Sequence, residues 1–161
     1  MYRIAVISTL SALGLLAGCS TLSPFSTLTK LDLTLTAGDE VNPDLHGRPS
    51  PVVVQLLELR HPVAFENADF FSLYSRAEQT LAKDWVSSEE WELRPGEQVP
   101  LKLSVEPHSR YVGVLAAYRD LPHVQWRLVL PVVPGQLTQA EVALDQTGLR
   151  LVAPQTDRTE D

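Results

Sequence analysis

The sequence predicts an all-β domain of about eight strands, arranged as a sandwich or a barrel, with a short helical insertion after the second strand. Short apolar segments alternate with polar residues at the period of two that half-buried strands require. Turn-forming pairs, among them Pro95-Gly96 and Pro134-Gly135, separate these segments at short intervals. Apolar residues at the three-and-four spacing of a helix occur over about residues 64–82, and such an insertion does not change the fold class.

The N-terminus has the organisation of an export signal. One charged residue, Arg3, precedes residues 4–17, which contain no ionisable side chain and end in small residues. Secretory signal peptides are built in this way. The apolar run is also short against the roughly 20 residues that a membrane-spanning helix needs. We therefore expect residues 1–18 to be a signal peptide.

The only cysteine of the chain, Cys19, directly follows Leu-Ala-Gly at the end of this apolar run. This pattern matches the lipobox of bacterial lipoproteins, in which the cysteine is lipidated and becomes the first residue after cleavage. Several acyl chains on one residue anchor a protein stably, at about 0.8 kcal/mol per buried methylene. Ser20 stands where lipoproteins kept in the inner membrane typically carry Asp. These residues predict a lipid anchor on Cys19 in the outer membrane, facing the periplasm.

A short tether separates the lipidated cysteine from the first strand. Residues 19–27 contain Cys19 and eight further residues rich in Ser and Thr. At about 3.3–3.6 Å per extended residue, the tether reaches less than roughly 30 Å. The domain that follows is therefore expected to work close to its membrane.

Size and charge indicate a single acidic domain. A sandwich is expected over residues 28–154, followed by a polar, disordered tail over residues 155–161. The formal charge of the whole chain is −7, and because only Arg3 of the basic residues precedes Cys19, the part after the signal peptide is more acidic still. Nucleic acid and anionic lipid headgroups are recognised through basic patches, so this balance disfavours both as partners.

The first two strands are predicted over Leu28–Ala37 and Pro51–Leu59. In the first, leucines at every second position alternate with polar residues, as in a half-buried strand. The second is apolar on both faces, as expected of a strand inside a packed sheet.

The chain then changes to helical periodicity. The spacing of aromatic and aliphatic residues predicts a helix from about Asn67 to Tyr74. Ser75, with Glu78 three residues later, has the spacing of a capping box and predicts a second helix up to about Ala82.

From Trp85 onward the pattern returns to strands. Pro100 lies on the outward set of its strand, which is typical of an edge strand because proline has no N–H to donate. Gly113 lies inside a predicted central strand and permits close backbone approach or a bulge. In the next strand Trp126, Leu128, Leu130 and Val132 share one face.

The motifs of common enzymes and metal sites are missing from the sequence. The four histidines, His46, His61, His108 and His123, are far apart and lie in predicted loops. Zinc sites need clustered ligands such as HExxH or paired cysteines. The sequence also lacks a Gly-x-Ser-x-Gly elbow and a glycine-rich phosphate loop. We therefore expect neither an enzyme nor a cofactor or metal site.

Thirteen residues, Gly38–Ser50, separate the first two predicted strands and include two glycines and two prolines. Loops of about twelve residues or more are uncommon in compact domains and are usually functional or disordered. Lengthening a loop costs little, about 0.6 kcal/mol per doubling. Composition alone therefore leaves open whether this loop is slack or contacts a partner.

Six segments, taken in order, carry a family resemblance: LAGC, NPDLHGRPSPVVVQLLEL, FENADFFSLY, LRPGE, RYVGVLAAYRDL and WR. They extend from the predicted lipobox to about Arg127. Together they resemble the outer-membrane lipoprotein of the bacterial type VI secretion system, the TssJ (SciN-like) family. The resemblance implies a transthyretin-like β-sandwich with a helical insertion, in agreement with the fold class predicted above.

The resemblance also implies a role in assembly. Members of the family lie on the periplasmic face of the outer membrane and bind the C-terminal periplasmic domain of the inner-membrane protein TssM, which acts in complex with TssL. In the family, the loop between the first two strands contacts TssM. The corresponding residues here are Gly38, Asp39, Glu40, Val41, Asn42, Pro43, Asp44, Leu45, His46, Gly47, Arg48, Pro49 and Ser50.

A second hypothesis is a lipid-anchored sandwich module that binds a small ligand or cell-wall glycan. Its candidate residues are an aromatic cluster and two tryptophans: Phe65, Phe70, Phe71, Tyr74, Trp85 and Trp91. This hypothesis predicts a concave apolar pocket with converging polar groups. An aromatic stripe at helical spacing is more often part of a core.

Overall fold

The computed structural model describes residues 28–152, in which eight strands form two four-stranded sheets and two helices follow the second strand. The predicted signal peptide, Cys19, Ser20, the tether and the polar tail lie outside these residues. The elements are β1 Thr29–Ala37, β2 Val52–Leu59, α1 Val63–Asn67, α2 Phe70–Leu81, β3 Trp85–Leu93, β4 Gln98–Val105, β5 Tyr111–Ala116, β6 Arg127–Pro131, β7 Leu137–Asp145 and β8 Gly148–Val152.

The sheet order confirms the predicted all-β fold and selects a sandwich. One sheet has the order β4-β1-β7-β8 and the other has the order β3-β2-β5-β6. Strands β1 and β7 pair in parallel, and the other neighbours pair antiparallel. β2 begins one residue later than predicted, at Val52, since Pro51 has no N–H for a strand ladder. Pro100 is exposed on the edge strand β4, as its position in the sequence predicted.

The main core lies between the two sheets. The leucines that alternate along β1, Leu31, Leu33 and Leu35, are at most 1% exposed and pack against apolar residues of β2 and β5. Each such side chain contributes about 1.5–3 kcal/mol when it is fully buried. The period-two pattern therefore marks the side chains that hold the two sheets together.

A second core lies on the outer face of the β3-β2-β5-β6 sheet, beneath the helices. Leu57 and Leu59 of β2 contact Phe65, Phe70 and the rest of this cluster. This second core explains why β2 is apolar on both faces. A Cβ atom at Gly113 of β5 would lie 2.9 Å from Cζ of Phe65, so the glycine makes room for this ring and not for a bulge.

The helices differ from the predicted boundaries. The predicted helix from Asn67 to Tyr74 crosses a break, because Ala68 is extended and α2 starts only at Phe70. Asp69 caps α2 by accepting a hydrogen bond from the Ser72 N–H at 3.0 Å. The prediction placed the helix start before this cap and missed α1.

The second helix, predicted from Ser75 to about Ala82, is present, because a non-helical residue divides Phe70–Leu81 into two helical parts. α2 continues through Ser75 and kinks at Arg76, whose φ of −146° and ψ of 41° are not helical. The Thr80 hydroxyl donates to the Ser72 carbonyl at 2.9 Å and bridges the kink. The sequence therefore located this break to within one residue, and the second part ends at Leu81, one residue before the predicted end.

The connections of the sandwich fall at two opposite ends. We call the end where β1 begins the tether end, because the predicted tether precedes Leu28; it also contains the β4–β5 and β6–β7 connections. The loop end contains the β1–β2, β3–β4, β5–β6 and β7–β8 connections. Strand β1 has nine residues, so at about 3.3 Å per residue the two ends are about 30 Å apart.

The two sheets join at the loop end. Leu149 donates its N–H to the Gln125 carbonyl at 2.7 Å, and Gln125 donates to the Thr147 carbonyl at 2.9 Å. Gly148 has a φ of 116°, and a Cβ there would lie 2.3 Å from the Gln125 carbonyl oxygen, so only glycine fits. Within residues 28–152, neither helix is long and apolar enough to cross a membrane.

Candidate interaction site at the loop end

The β1–β2 loop, Gly38–Ser50, is tied into the sandwich at both of its ends. Gly38 donates its N–H to the Leu144 carbonyl at 2.8 Å, and Ser50 donates to the Val41 carbonyl at 3.1 Å. The Val41 side chain is fully buried in the main core. These contacts hold the base of the loop in one place, so it is not slack chain.

Asn42 links this loop to the β5–β6 connection. It has a φ of 48°, a conformation that Asn tolerates better than most residues, and it is 4% exposed. Its Nδ2 donates to the Pro51 carbonyl at 2.7 Å, and its Oδ1 accepts from the Arg119 N–H at 2.9 Å. A single amide therefore fixes the position of one connection relative to the other.

Asp44 organises the tip of the loop into a closed turn. Its Oδ1 accepts hydrogen bonds from the N–H groups of His46 and Arg48 at 2.8 and 2.9 Å. Its Oδ2 accepts from Nε and Nη2 of the Arg48 guanidinium at 2.8 and 2.7 Å. Gly47 completes the turn with a φ of 76°. Asp commonly closes turns in this way, and the paired contacts to arginine add geometric precision.

The Asp44 turn presents Leu45 to solvent. The exposure of this side chain is 103%, the highest among the exposed large apolar side chains of residues 28–152. A soluble domain gains nothing in its own stability from a leucine in this position. A partner that covers it gains apolar burial, and the closed turn lowers the entropy cost of binding because the backbone is already ordered.

The Asp44 turn is expected to open in acid. Hydrogen bonds from the Arg48 backbone, and then from its side chain, hold the pKa of Asp44 below its usual value of 3.8. Because the folded-state pKa is depressed, the charged carboxylate stabilises the turn fully above the usual value, and this contribution is lost as the pH falls through the folded-state pKa. NMR measurement of the His46 and Arg48 amide protons should show them losing protection in that acidic range.

Asp44→Asn provides the matched control for the acid titration, because it keeps an oxygen acceptor at the same position but carries no charge. Its His46 and Arg48 amide protons should show no such transition. An identical transition in both proteins would contradict the assignment to the Asp44 carboxylate.

Next to the turn, the loop end contains an open cleft of about 540 Å³. The loop contributes one wall, and the β5–β6 connection and the β7–β8 turn contribute the rest. The lining includes Leu45, His46, Tyr118, Arg119, Asp120, Val124 and Gln146.

The cleft wall combines a buried phenol with a cationic side chain. Tyr118 is 5% exposed, and its hydroxyl has no hydrogen-bond partner among the described residues. Burial, with a smaller effect from Asp145, raises the pKa of Tyr118 above its usual value, so this hydroxyl keeps its proton. Within the same part of the chain, the exposed Arg119 guanidinium forms no ion pair with a carboxylate. The cleft therefore offers a positive charge beside the apolar Leu45.

The thirteen loop residues predicted from the sequence divide into two groups. Val41, Asn42 and Ser50 are buried and hold the loop, whereas Leu45, His46 and Arg48 are among those that reach solvent. The sequence prediction missed the cleft residues outside the loop: Tyr118, Arg119, Asp120, Val124 and Gln146. Their local pattern carries no signal for this role, because they meet the loop only through the order of the strands.

The aromatic residues of the second hypothesis are mostly part of the helical core. Phe65 is fully buried and Phe70 is 9% exposed. The Phe70 ring stacks on Tyr74 and meets Trp126 edge to face. Phe71 alone among the four phenylalanine and tyrosine candidates is largely exposed, at 69%.

The described residues contain no arrangement for metal binding. The histidines His61 and His123 contact Asp84 and Asp120 respectively, at opposite ends of the sandwich. Across residues 28–152, no three side chains of the metal-ligating types His, Cys, Asp and Glu come together.

The fold and the loop end define a class of protein: a two-layer β-sandwich with a closed, solvent-exposed turn beside an open cleft. Over residues 29–147 the chain matches the model of the family described as type VI secretion lipoprotein, VasD, EvfM and TssJ. The chain belongs to that family. No curated protein is significantly similar to it.

Solved structures agree with this assignment. The type VI secretion lipoprotein TssJ1 from Pseudomonas aeruginosa is 34% identical, with a TM-score of 0.76 over 78% of this chain and 96% of that chain. Lip from Serratia marcescens, a membrane-bound component of the type VI secretion system, is 28% identical, with a TM-score of 0.71 over 78% and 98%. A chain of a type VI membrane complex is 25% identical, with a TM-score of 0.69 over 78% and 99%.

Proposed function

We propose that this chain is an outer-membrane-anchored periplasmic lipoprotein that docks the C-terminal periplasmic domain of TssM and helps to assemble the type VI secretion membrane complex. In this proposal, lipid on Cys19 holds the protein on the periplasmic face of the outer membrane. The β1–β2 loop, Gly38–Ser50, binds TssM, which acts together with TssL.

The observation that carries the proposal is the closed Asp44 turn with the exposed Leu45 at its tip. Interaction hot spots are apolar or aromatic anchors that enter a pocket of the partner. The Arg119 guanidinium in the adjacent cleft supplies charge for steering and specificity. Membership of the type VI secretion lipoprotein family, and similarity to a chain of a type VI membrane complex, support this choice of partner.

The position of the loop also supports the proposal. The tether precedes β1, and the Asp44 turn lies beyond its far end, about 30 Å away at the rise of a nine-residue strand. An anchored domain with this topology directs its contact loop away from the membrane. A partner that spans the periplasm from the inner membrane would reach that end first.

The second candidate, binding of a small ligand or glycan, has less support. The described residues place Phe65 and Phe70 in the helical core instead of a pocket wall. Trp91 packs against the main core. The cleft at the loop end is open and adjoins the β1–β2 loop. This shape favours a protein surface as the binding partner over a small, enclosed ligand.

Affinity capture from detergent-solubilised cell envelopes tests the proposed function. Wild-type protein should recover TssM together with TssL. A variant with Asp44, Leu45, His46 and Arg48 all replaced by alanine should lose TssM but keep its fold, since these side chains contribute little to the core. Circular dichroism and a thermal scan check the fold.

Cys19→Ser separates anchoring from docking. This variant should leave the outer-membrane fraction yet still bind the isolated TssM C-terminal domain, because the loop and the tether are at opposite ends. Recovery of TssM by the loop variant at the wild-type level would overturn the proposal for the loop. Failure of wild-type protein to recover any TssM would overturn the docking function as a whole.

A further inference from the structure

The tether end carries a group of exposed apolar side chains. Leu28, Val133 and Leu137 are 55%, 48% and 52% exposed. Lys30 and Leu137 are paired residues of β1 and β7, and Gly135 donates its N–H to the Thr29 hydroxyl at 3.0 Å. The β6–β7 turn therefore lies against the start of β1, which brings these side chains to one end of the sandwich.

Exposed basic side chains lie at the same end of the sandwich as this apolar group. Val132 donates its N–H to the Arg110 carbonyl, and Arg110 donates its N–H to the Leu59 carbonyl, both at 2.9 Å. The Arg60 guanidinium in turn donates to the Lys83 carbonyl at 2.6 Å. These contacts place four exposed basic residues at the tether end: Lys30, Arg60, Lys83 and Arg110.

Three carboxylates lie at the same end of the sandwich as these four basic residues. The Glu58 carboxylate accepts from the Ser109 hydroxyl and the Glu106 N–H, and Asp84 contacts His61. Glu106 is the remaining acid in the β4–β5 connection. Among the described residues, none of the four basic side chains forms an ion pair. With four basic residues and three carboxylates, this end is close to neutral, whereas the whole chain has a formal charge of −7.

We propose that the tether end rests directly on the phospholipid surface of the membrane that holds Cys19. Leu28, Val133 and Leu137 lie at the boundary between headgroups and acyl chains, and the basic side chains face the lipid phosphates. The inference depends on the lipidation part of the proposed function. It differs from the expectation from net charge, which counts the whole chain and not the residues at one end of it.

The length and exit point of the tether identify the occupant of this surface. Leu28 is nine residues after Cys19, so the anchored lipid lies within roughly 30 Å of the apolar group. Basic residues flanking apolar ones are the usual composition of a surface that lies in a membrane interface. Contact at this end would set β1 upright on the membrane and present the Leu45 turn to the periplasm.

A fluorescent label at the tether end tests the proposal. The full lipidated chain is reconstituted in vesicles of phosphatidylethanolamine and phosphatidylglycerol. Lipidation consumes the Cys19 thiol, so Leu137→Cys introduces a single reactive thiol for an environment-sensitive NBD label. Leu151→Cys is the matched control, since Leu151 on β8 is 49% exposed, close to the 52% of Leu137.

The expected result is a several-fold brighter and blue-shifted label at residue 137, quenched by lipids that carry a spin label near the headgroup. The label at residue 151 should stay in water and escape quenching. Equal exposure of both labels to water would overturn the proposal. A second outcome would also overturn the proposal. If the label at residue 137 is bright and blue-shifted in detergent without vesicles, and more so at higher protein concentration, a second copy of the chain covers this surface.

A second pair of substitutions tests the contribution of the basic side chains at the tether end. Lys30→Glu combined with Lys83→Glu should reduce quenching at residue 137 in vesicles with phosphatidylglycerol and leave it unchanged in phosphatidylcholine vesicles. If the wild-type chain does not float with the vesicles, it carries no lipid anchor, and the proposal fails. Titration of the protein with the TssM C-terminal domain measures the docking function independently of either outcome.

Discussion

Leu45→Ala is expected to weaken binding of the TssM C-terminal domain by about 30-fold or more, which corresponds to a hot-spot loss of about 2 kcal/mol. The side chain is 103% exposed on a turn that Asp44 and Arg48 already hold closed. Its truncation removes apolar area from the contact without disturbing any internal packing. Isothermal titration calorimetry measures the change.

The matched control for Leu45→Ala is Leu151→Ala. Leu151 is also an exposed leucine, at 49%, but it lies on the edge strand β8, pairs with Val142 of β7 and does not line the cleft. We expect this variant to bind as the wild type does, and both variants to keep the wild-type melting temperature. Wild-type affinity in Leu45→Ala would show that the tip of the turn is not an anchor, and attention would move to the adjoining cleft.

Phe65→Ala is expected to lower the free energy of unfolding by about 3–5 kcal/mol, the usual cost of removing a fully buried phenylalanine. The Phe65 ring is 0% exposed and fills the space above Gly113 between α1 and β5. Its loss leaves a cavity that the backbone of a central strand cannot close. Urea denaturation followed by circular dichroism measures the change.

Phe71→Ala is the matched control for Phe65→Ala. Phe71 is 69% exposed on α2, so its truncation should change stability by no more than about 0.5 kcal/mol. Comparing the two variants shows whether the aromatic cluster stabilises the fold or forms a ligand site. Near-normal stability of Phe65→Ala together with loss of glycan binding would contradict the structural assignment.

The helical insertion shows where sequence patterns lose accuracy. Three-and-four spacing located the insertion, since both helices bury one apolar face against the sheet. The break between α1 and α2 depends on two residues, an extended Ala68 and the Asp69 cap. Apolar spacing continues across that break, so periodicity alone merged residues on both sides of it. The kink at Arg76 was visible in the sequence through the neighbouring capping-box pattern.

For the β1–β2 loop, the sequence located the segment, and the structure showed which side chains it exposes. Turn-forming composition located the loop, and the residue types at Asp44, Gly47 and Arg48 are those that a closed turn uses. The composition did not reveal that Leu45 is the most exposed large apolar side chain of residues 28–152. That outcome follows from Asp44 and Arg48 bonding to each other, which aims the intervening side chains outward.

The sequence by itself determined the strands, the two-sided burial of β2 and the position of the long loop, because these depend on neighbours a few residues apart. Only the tertiary structure decided which residues share the cleft and which share the tether end. Asn42 and Arg119 are 77 positions apart and meet through one hydrogen bond. Such contacts follow from the order and direction of strands in two sheets, and a local pattern of residues carries no record of that order.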